Sequence, residues 1–148
     1  MSEKNNKREW LFLILRIALG CLFIWAGWNK LGDPGEFARI IHNYKILPSF
    51  MINPVAIVLP WVELVCGLLL VSGFMVSGSS LIINILLVIF FMALGLNLYR
   101  GLNVACGCFT LSQEAEKISL YTLIREMPFL ISGIWLLFYQ MKKNRNLL

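Results

Sequence analysis

Four apolar stretches, at residues 10–31, 55–74, 79–99 and about 118–141, are separated by shorter polar segments. Each is as long as the roughly 20 residues that a helix needs to cross a hydrocarbon core. None alternates polar and apolar residues with the period of two expected of a half-buried strand, and an open sheet edge cannot face lipid. The pattern therefore predicts four transmembrane helices. Only residues 75–78 separate the second from the third, which makes those two an antiparallel hairpin. The expected fold is all-α: an integral membrane four-helix bundle forming a single domain over residues 1–148.

The connection between the first two helices carries its own pattern. Asp33-Pro34-Gly35-Glu36 reads as an N-cap, a proline in the first helical turn and a capping-box acid. Phe37, Ile40, Ile41, Tyr44 and Leu47 then recur at helical spacing, with Glu36, Arg39, Asn43 and Lys45 mostly on the opposite face, and Pro48 ends the run. This predicts an amphipathic helix over residues 34–47, either lying in the membrane interface or packed as a lid over the bundle mouth.

Composition agrees with the membrane class. Of the 148 residues, 59% are hydrophobic and 14% charged, with a mean hydropathy of +0.76, too little polar surface for a soluble domain of this size. The net charge of +5 is not gathered into one basic face, so it does not point to nucleic acid. Lys4, Lys7, Arg8, Lys142, Lys143 and Arg145 lie in the two tails, where they read as contacts with anionic lipid and as topology signals. The first apolar run is interrupted by Arg16, and no small-residue cleavage site follows it around Trp25–Trp28. It is therefore expected to stay as a permanent helix rather than leave as a signal peptide.

An even number of spans puts both tails on one side. The connections with their flanks also hold six cations (Lys30, Arg39, Lys45, Arg100, Lys117 and Arg125), but the tails pack theirs more densely. The expected topology is a multi-pass protein of a bacterial cytoplasmic membrane, with both termini cytoplasmic and the loop before the last helix outside.

That loop holds the chemistry. Cys106-Gly107-Cys108 sets two thiols around a glycine that lets the backbone curl. Residues two apart can approach within the disulfide range of about 4.4–6.8 Å, at the cost of some ring strain. Strained, accessible disulfides are the exchangeable ones, and so short a loop gains little from closure as a structural staple. An oxidising compartment suits the pair. Two rivals remain: Cu(I) held by two soft thiolates, with no third soft ligand nearby, and an inert pair. His42, the only histidine, lies on the amphipathic segment and reads as solvated or rim-packed; no metal site is assigned. Cys21 and Cys66, in the first and second spans, are expected to behave as small buried hydrophobes, a bridge between them being the minor alternative.

Charges within the spans form a second set. Arg16 and Glu63 are costly in lipid and should face the interior with partners. Counted from the tail side they lie at roughly 9 Å and 16 Å, so a direct pair requires Arg16 to reach inward, and Asn84 is the alternative partner. In the last span, residues 127–141 make only about 22 Å of helix, so the helix must begin earlier and carry Arg125 and Glu126 below the rim. Arg100 ends the third helix. Either Arg100 or Arg125 could favour a nearby thiolate, or simply form a rim salt bridge.

Several ordered motifs together resemble a known family. They are Arg16-x-x-x-Gly20-x-x-Phe23-x-x-x-Gly27-x-x-Lys30, Leu59-Pro60-Trp61-Val62-Glu63-Leu64-x-x-Gly67, Cys106-Gly107-Cys108-Phe109 and Tyr121-Thr122-Leu123-Ile124-Arg125-Glu126. The chain resembles, over nearly its whole length, the MauE branch of the DoxX-like membrane proteins. The resemblance implies a four-helix membrane bundle active in periplasmic thiol-disulfide chemistry beside a thioredoxin-like partner or a disulfide-rich client. MauE itself is associated with maturing the disulfide-rich small subunit of methylamine dehydrogenase, and related DoxX-type proteins with quinone-coupled sulfur oxidation. One difference is Thr110, where the family loop usually continues with glycine.

Three functional expectations follow. The first is a thiol-disulfide oxidoreductase with Cys106 and Cys108 as the exchanging pair, Gly107 allowing closure, and Arg100 and Arg125 nearby. Its electrons would pass to or from a quinone held near Arg16, Glu63, Trp25, Trp28 and Trp61. The second is a non-enzymatic assembly factor or Cu(I)-binding scaffold. The third is a small transporter with Arg16 and Glu63 along its path.

Overall fold

The computed structural model describes residues 2–101 and 120–145, and they form five helices. These are α1 (Ser2–Gly32), α2 (Pro34–Asn43), α3 (Ser49–Ser72), α4 (Val76–Tyr99) and α5 (Leu120–Arg145). Among the described residues, three helices are long and apolar enough to cross a membrane: α1 from Asn6, α3 and α4. Helix α5 matches them in length but carries Arg125, Glu126, Gln140 and a basic last turn.

The caps explain most boundaries. The Asp33 carboxylate accepts a hydrogen bond from the Glu36 backbone N–H at 3.0 Å, and Pro34 supplies the fixed φ of a first turn. Helix α2 is shorter than the amphipathic pattern, ending at Asn43, because Lys45 takes a positive φ of 50° and turns the chain. Pro48 then becomes the N-cap of α3, which starts six residues before the predicted span. Pro54 and Pro60 both lie inside that helix. A proline reads as a helix breaker in water, but membrane helices tolerate it where neighbours satisfy the freed backbone groups. At the far end of α3, Gly73 adopts the left-handed conformation (φ 80°), its N–H bonding to Leu69 O, so the α3–α4 turn is tighter than expected.

Packing starts from α1 and α3. Their backbones touch at glycines: a Cβ on Gly67 would lie 2.8 Å from Gly20 O, and one on Gly27 would lie 2.8 Å from Pro60 O. Close approach at small residues is how helices gain contact in lipid, where burying apolar surface drives nothing. Helix α4 is fastened to α5 by Asn84, whose Nδ2 donates to Gly133 O at 2.9 Å and to Ser80 O at 2.7 Å. Phe12, Leu19, Leu70, Ile83 and Leu136 fill the space between the four long helices.

The outer face is apolar, with Ile57, Leu68, Ile85, Ile89 and Met92 among many exposed side chains. Trp10 and Trp28 are both exposed on α1, about 27 Å apart along the axis, close to the thickness of a hydrocarbon core. Exposed aromatics at those two levels suit the interfacial belts of a membrane protein. The chain ends share one end of the bundle, since Glu9 accepts from Tyr139 Oη at 3.1 Å and pairs with Lys143 at 3.4 Å. At the opposite end, Arg100 donates to Lys45 O at 3.4 Å and joins the close of α4 to the α2–α3 connection.

The α1–α3 contact makes a direct prediction. Gly67→Ala should lower stability in detergent by about 1–3 kcal/mol, read as a fall in Tm, because backbone atoms cannot step aside. Gly95→Ala, where an added Cβ meets nothing within 4 Å, should leave Tm unchanged or raise it slightly.

Candidate functional site

The end of the bundle away from the chain tails holds a buried charge cluster. Lys30, in the last turn of α1, is 5% exposed, and Glu63 of α3 is 7% exposed. Lys30 Nζ donates to both carboxylate oxygens, at 2.6 and 2.8 Å, and lies 5.1 Å from the centre of the Phe37 ring. The ammonium is thus met by a carboxylate on one side and an aromatic ring of α2 on the other.

This partner of Glu63 differs from the expected Arg16, and helix geometry gives the reason. Side chains lean towards the N-terminus of their own helix. Because α1 and α3 are antiparallel, Lys30 leans down α1 towards Glu63, and Glu63 leans along α3 towards Lys30. Arg16 leans the same way along α1, which from its position carries it away from Glu63 and towards the tails. Its guanidinium lies at the C-terminus of α3, where a Cβ on Gly73 would stand 3.1 Å from Nη1. That position suits a cation, since the end of a helix carries partial negative charge. Asn84 bonds to α5 instead.

Beside the ion pair lies a cavity of about 260 Å³. Phe23 and Ala26 of α1, Phe37, Ile40 and Ile41 of α2, Leu59 of α3, Phe90 and Ala93 of α4 and Phe129 of α5 form its apolar walls. Its polar atoms come from Lys30, Glu63, Tyr44 and Glu126. Helix α2 thus lies across the bundle end with Phe37 and Ile40 buried. Burial, with the Glu126 carboxyl nearby, pushes the pKa of Tyr44 upward, so its hydroxyl stays neutral. Glu126 is 6% exposed, and its Oε1 lies 3.8 Å from Arg125 Nη2 but makes no hydrogen bond.

The structure scatters the other candidate residues. Of the expected quinone group, only Glu63 lines the cavity. Arg16 is at the other end of α3, while Trp25, Trp28 and Trp61 are 62%, 69% and 55% exposed and point outward. Cys66 is buried in the core, but Cys21 is exposed, because Gly20 occupies the α3-facing position and the next residue turns away. Both are free thiols. Arg100 is exposed, and Arg125 is half-buried beside Glu126. Cys106, Gly107, Cys108 and Thr110 lie outside the described residues. Among the described residues there is no grouping of three His, Cys, Asp or Glu side chains able to hold a metal ion. Sequence reasoning counted Lys30 among the cations flanking the connections and carried Glu126 below the rim, but gave neither a role in the site. The spacing Gly27-x-x-Lys30, which brings a cation to the end of the glycine-lined contact, was the available signal.

The family model of the methylamine utilisation protein MauE matches residues 8–139. The chain is 30% identical to the methylamine utilization protein MauE of Methylophilus methylotrophus over 127 residues, covering 85% of this chain and 66% of that protein. It is 36% identical to the protein of the same description from Paracoccus denitrificans over 96 residues, covering 64% and 52%. With that of Methylorubrum extorquens it shares 32% over 99 residues, covering 66% and 50%. The chain therefore spans between half and two thirds of the length of these relatives. No solved structure matches it.

The ion pair can be tested as a unit. Glu63→Leu should destabilise the protein in detergent by about 3–5 kcal/mol, because it leaves a buried ammonium uncompensated. Lys30→Met combined with Glu63→Leu should recover most of that loss, which denaturant titration of the three proteins would read. Additive losses in the double variant would mean that the two charges do not compensate each other.

Proposed function

The chain belongs to the MauE family, and from that premise we propose that it is a membrane maturation factor exchanging disulfides with extracytoplasmic proteins through Cys106 and Cys108. One observation carries the reading. The segment that bears Cys106-Gly107-Cys108 leaves the described chain at Gly101 and rejoins it at Leu120, at the bundle end that holds the Lys30–Glu63 pair and the cavity. The two residues that flank the motif's segment, Gly101 and Leu120, therefore lie at the end of the molecule that holds the buried polar cluster, and both tails at the other.

In the proposed cycle Cys106 and Cys108 begin as a disulfide. A thiolate of the client or of a thioredoxin-like partner attacks one sulfur, forming a mixed disulfide and releasing the other cysteine as a thiolate. The partner's second thiolate then resolves the bond. The partner leaves oxidised, and the pair has gained two electrons and two protons. A quinone in the bilayer is the proposed acceptor that restores the disulfide, becoming a quinol. Gly107 allows the small ring, and Arg100 and Arg125 are cations close to the two ends of the loop segment that favour the thiolate.

Helix α5 is the fourth crossing in this reading. Shared placement of the two tails requires an even number of crossings, and the basic tail residues favour the cytoplasmic side. The cysteine segment then faces outside, where disulfides persist.

Two experiments test the proposal. In living cells, Cys106→Ser or Cys108→Ser should each leave one thiol that traps a partner in a reductant-sensitive adduct, resolved by gel and mass spectrometry. Failure of the unaltered pair to form any disulfide after rapid alkylation would contradict the reading, as would tolerance of both substitutions in client maturation. In whole cells, a membrane-impermeant maleimide should label reduced Cys106 and Cys108. Protection of both until the membrane is opened would reverse the orientation.

A further inference from the structure

The cavity beside Lys30 and Glu63 is built for a particular kind of occupant. Its walls are aliphatic and aromatic, contributed by all five helices, and its volume is about 260 Å³. An apolar cavity of about 150 Å³ already accommodates benzene, so this one has room for a substituted ring and the start of a chain. Ile89 on the rim is exposed on the outer face, the face that meets lipid in the membrane reading. An occupant can therefore arrive from the bilayer.

The polar end of the cavity restricts the head group. Lys30 and Glu63 cancel one another, and Lys30 spends two of its three donors on Glu63. Glu126 is different: it lines the cavity, is 94% buried, and its Oε1 has no hydrogen-bond partner. A buried carboxyl oxygen without a partner is costly, and a ligand that supplies the bond removes the cost. Glu63 is balanced by Lys30 and Glu126 has Arg125 Nη2 at 3.8 Å, so no charge is left over for an ionic head. The missing partner is therefore an uncharged group: a hydroxyl that donates to Oε1, or a carbonyl that accepts from it when the carboxyl is protonated.

We propose that this cavity binds a membrane-dissolved molecule carrying an uncharged oxygen-bearing head on an apolar chain, with Glu126 Oε1 as the hydrogen-bonding partner of the head. On the redox reading above, on which this part rests, the occupant is a quinone. Its ring oxygens then take the two electrons and two protons released as the Cys106–Cys108 dithiol closes to a disulfide. An ester-headed lipid is the other source of the same chemistry.

Equilibrium binding to the purified full chain in nanodiscs tests this, using a decyl-substituted benzoquinone and, in a separate arm, monoolein. The quinone should bind saturably. Glu126→Leu should weaken it about tenfold, as expected for one lost hydrogen bond in a buried site, whereas Glu126→Gln, still able to bond, should lose little. Ala93→Phe, which fills the cavity without touching its polar end, should abolish binding. Each variant is used only after its Tm and gel-filtration profile match the unaltered protein. Monoolein binding with the same dependence on Glu126, and no quinone binding, supports the site with a lipid as occupant. No saturable binding of either, or binding indifferent to both Glu126→Leu and Ala93→Phe, overturns the proposal. Cys106→Ser/Cys108→Ser should bind as the unaltered chain does. Loss of partner trapping with binding intact would thus count against the redox reading alone, and absence of binding with trapping intact against this site alone.

Discussion

An ammonium group enclosed in an apolar bundle can persist only if an opposite charge meets it at hydrogen-bonding distance. Lys30 and Glu63 satisfy that constraint with two contacts, of 2.6 and 2.8 Å. The pair depends in turn on how closely α1 and α3 lie together. Gly20, Gly27 and Gly67 bring the two backbones into contact, and only at that separation do the two side chains lean into one another. The remaining helices are arranged around this pair of elements: α2 sets Phe37 against the ammonium, and α4 and α5, joined through Asn84, close the far wall.

The same arrangement explains why the polar residues are unevenly distributed. At the tail end, Glu9, Tyr139 and Lys143 interact near the surface, where such contacts contribute little energy. At the other end the charges are buried, and a carboxyl oxygen of Glu126, 3.8 Å from Arg125, makes no hydrogen bond beside an apolar cavity. Natural cores rarely retain an unsatisfied buried group unless it serves a purpose. Glu126 lies at the bundle end where α4 closes and α5 begins, the two helices that bracket Cys106-Gly107-Cys108 in the sequence.

Much of the helix content was legible in the sequence, because about 20 consecutive apolar residues have few structural alternatives. The Asp33 cap was legible too, since its mechanism is local. The start of α3 was not: Pro54 reads as a boundary by rules learned in water, and only lipid surroundings and close neighbours let it sit inside a helix. Facing was the larger difficulty. A helix apolar on all sides gives almost no polarity signal for its inner face, so Trp25 and Trp61 were placed inward although they point out, and Cys21 was placed in the interior. The partner of Glu63 was missed because depth along the axis was counted without the direction in which side chains lean. Cys106-Gly107-Cys108 remains legible as a motif alone.

The account as a whole joins thiol chemistry at one end of the bundle to an acceptor in the membrane, and reconstitution examines that link most directly. The protein would be placed in liposomes containing a quinone, with a reduced thioredoxin-like dithiol added outside, and quinone absorbance and free thiols followed together. The account predicts one quinone reduced for each dithiol oxidised, with both signals lost when Cys106 and Cys108 are replaced by serine. Dithiol oxidation without quinone reduction, or quinone reduction that persists without the two cysteines, would contradict it.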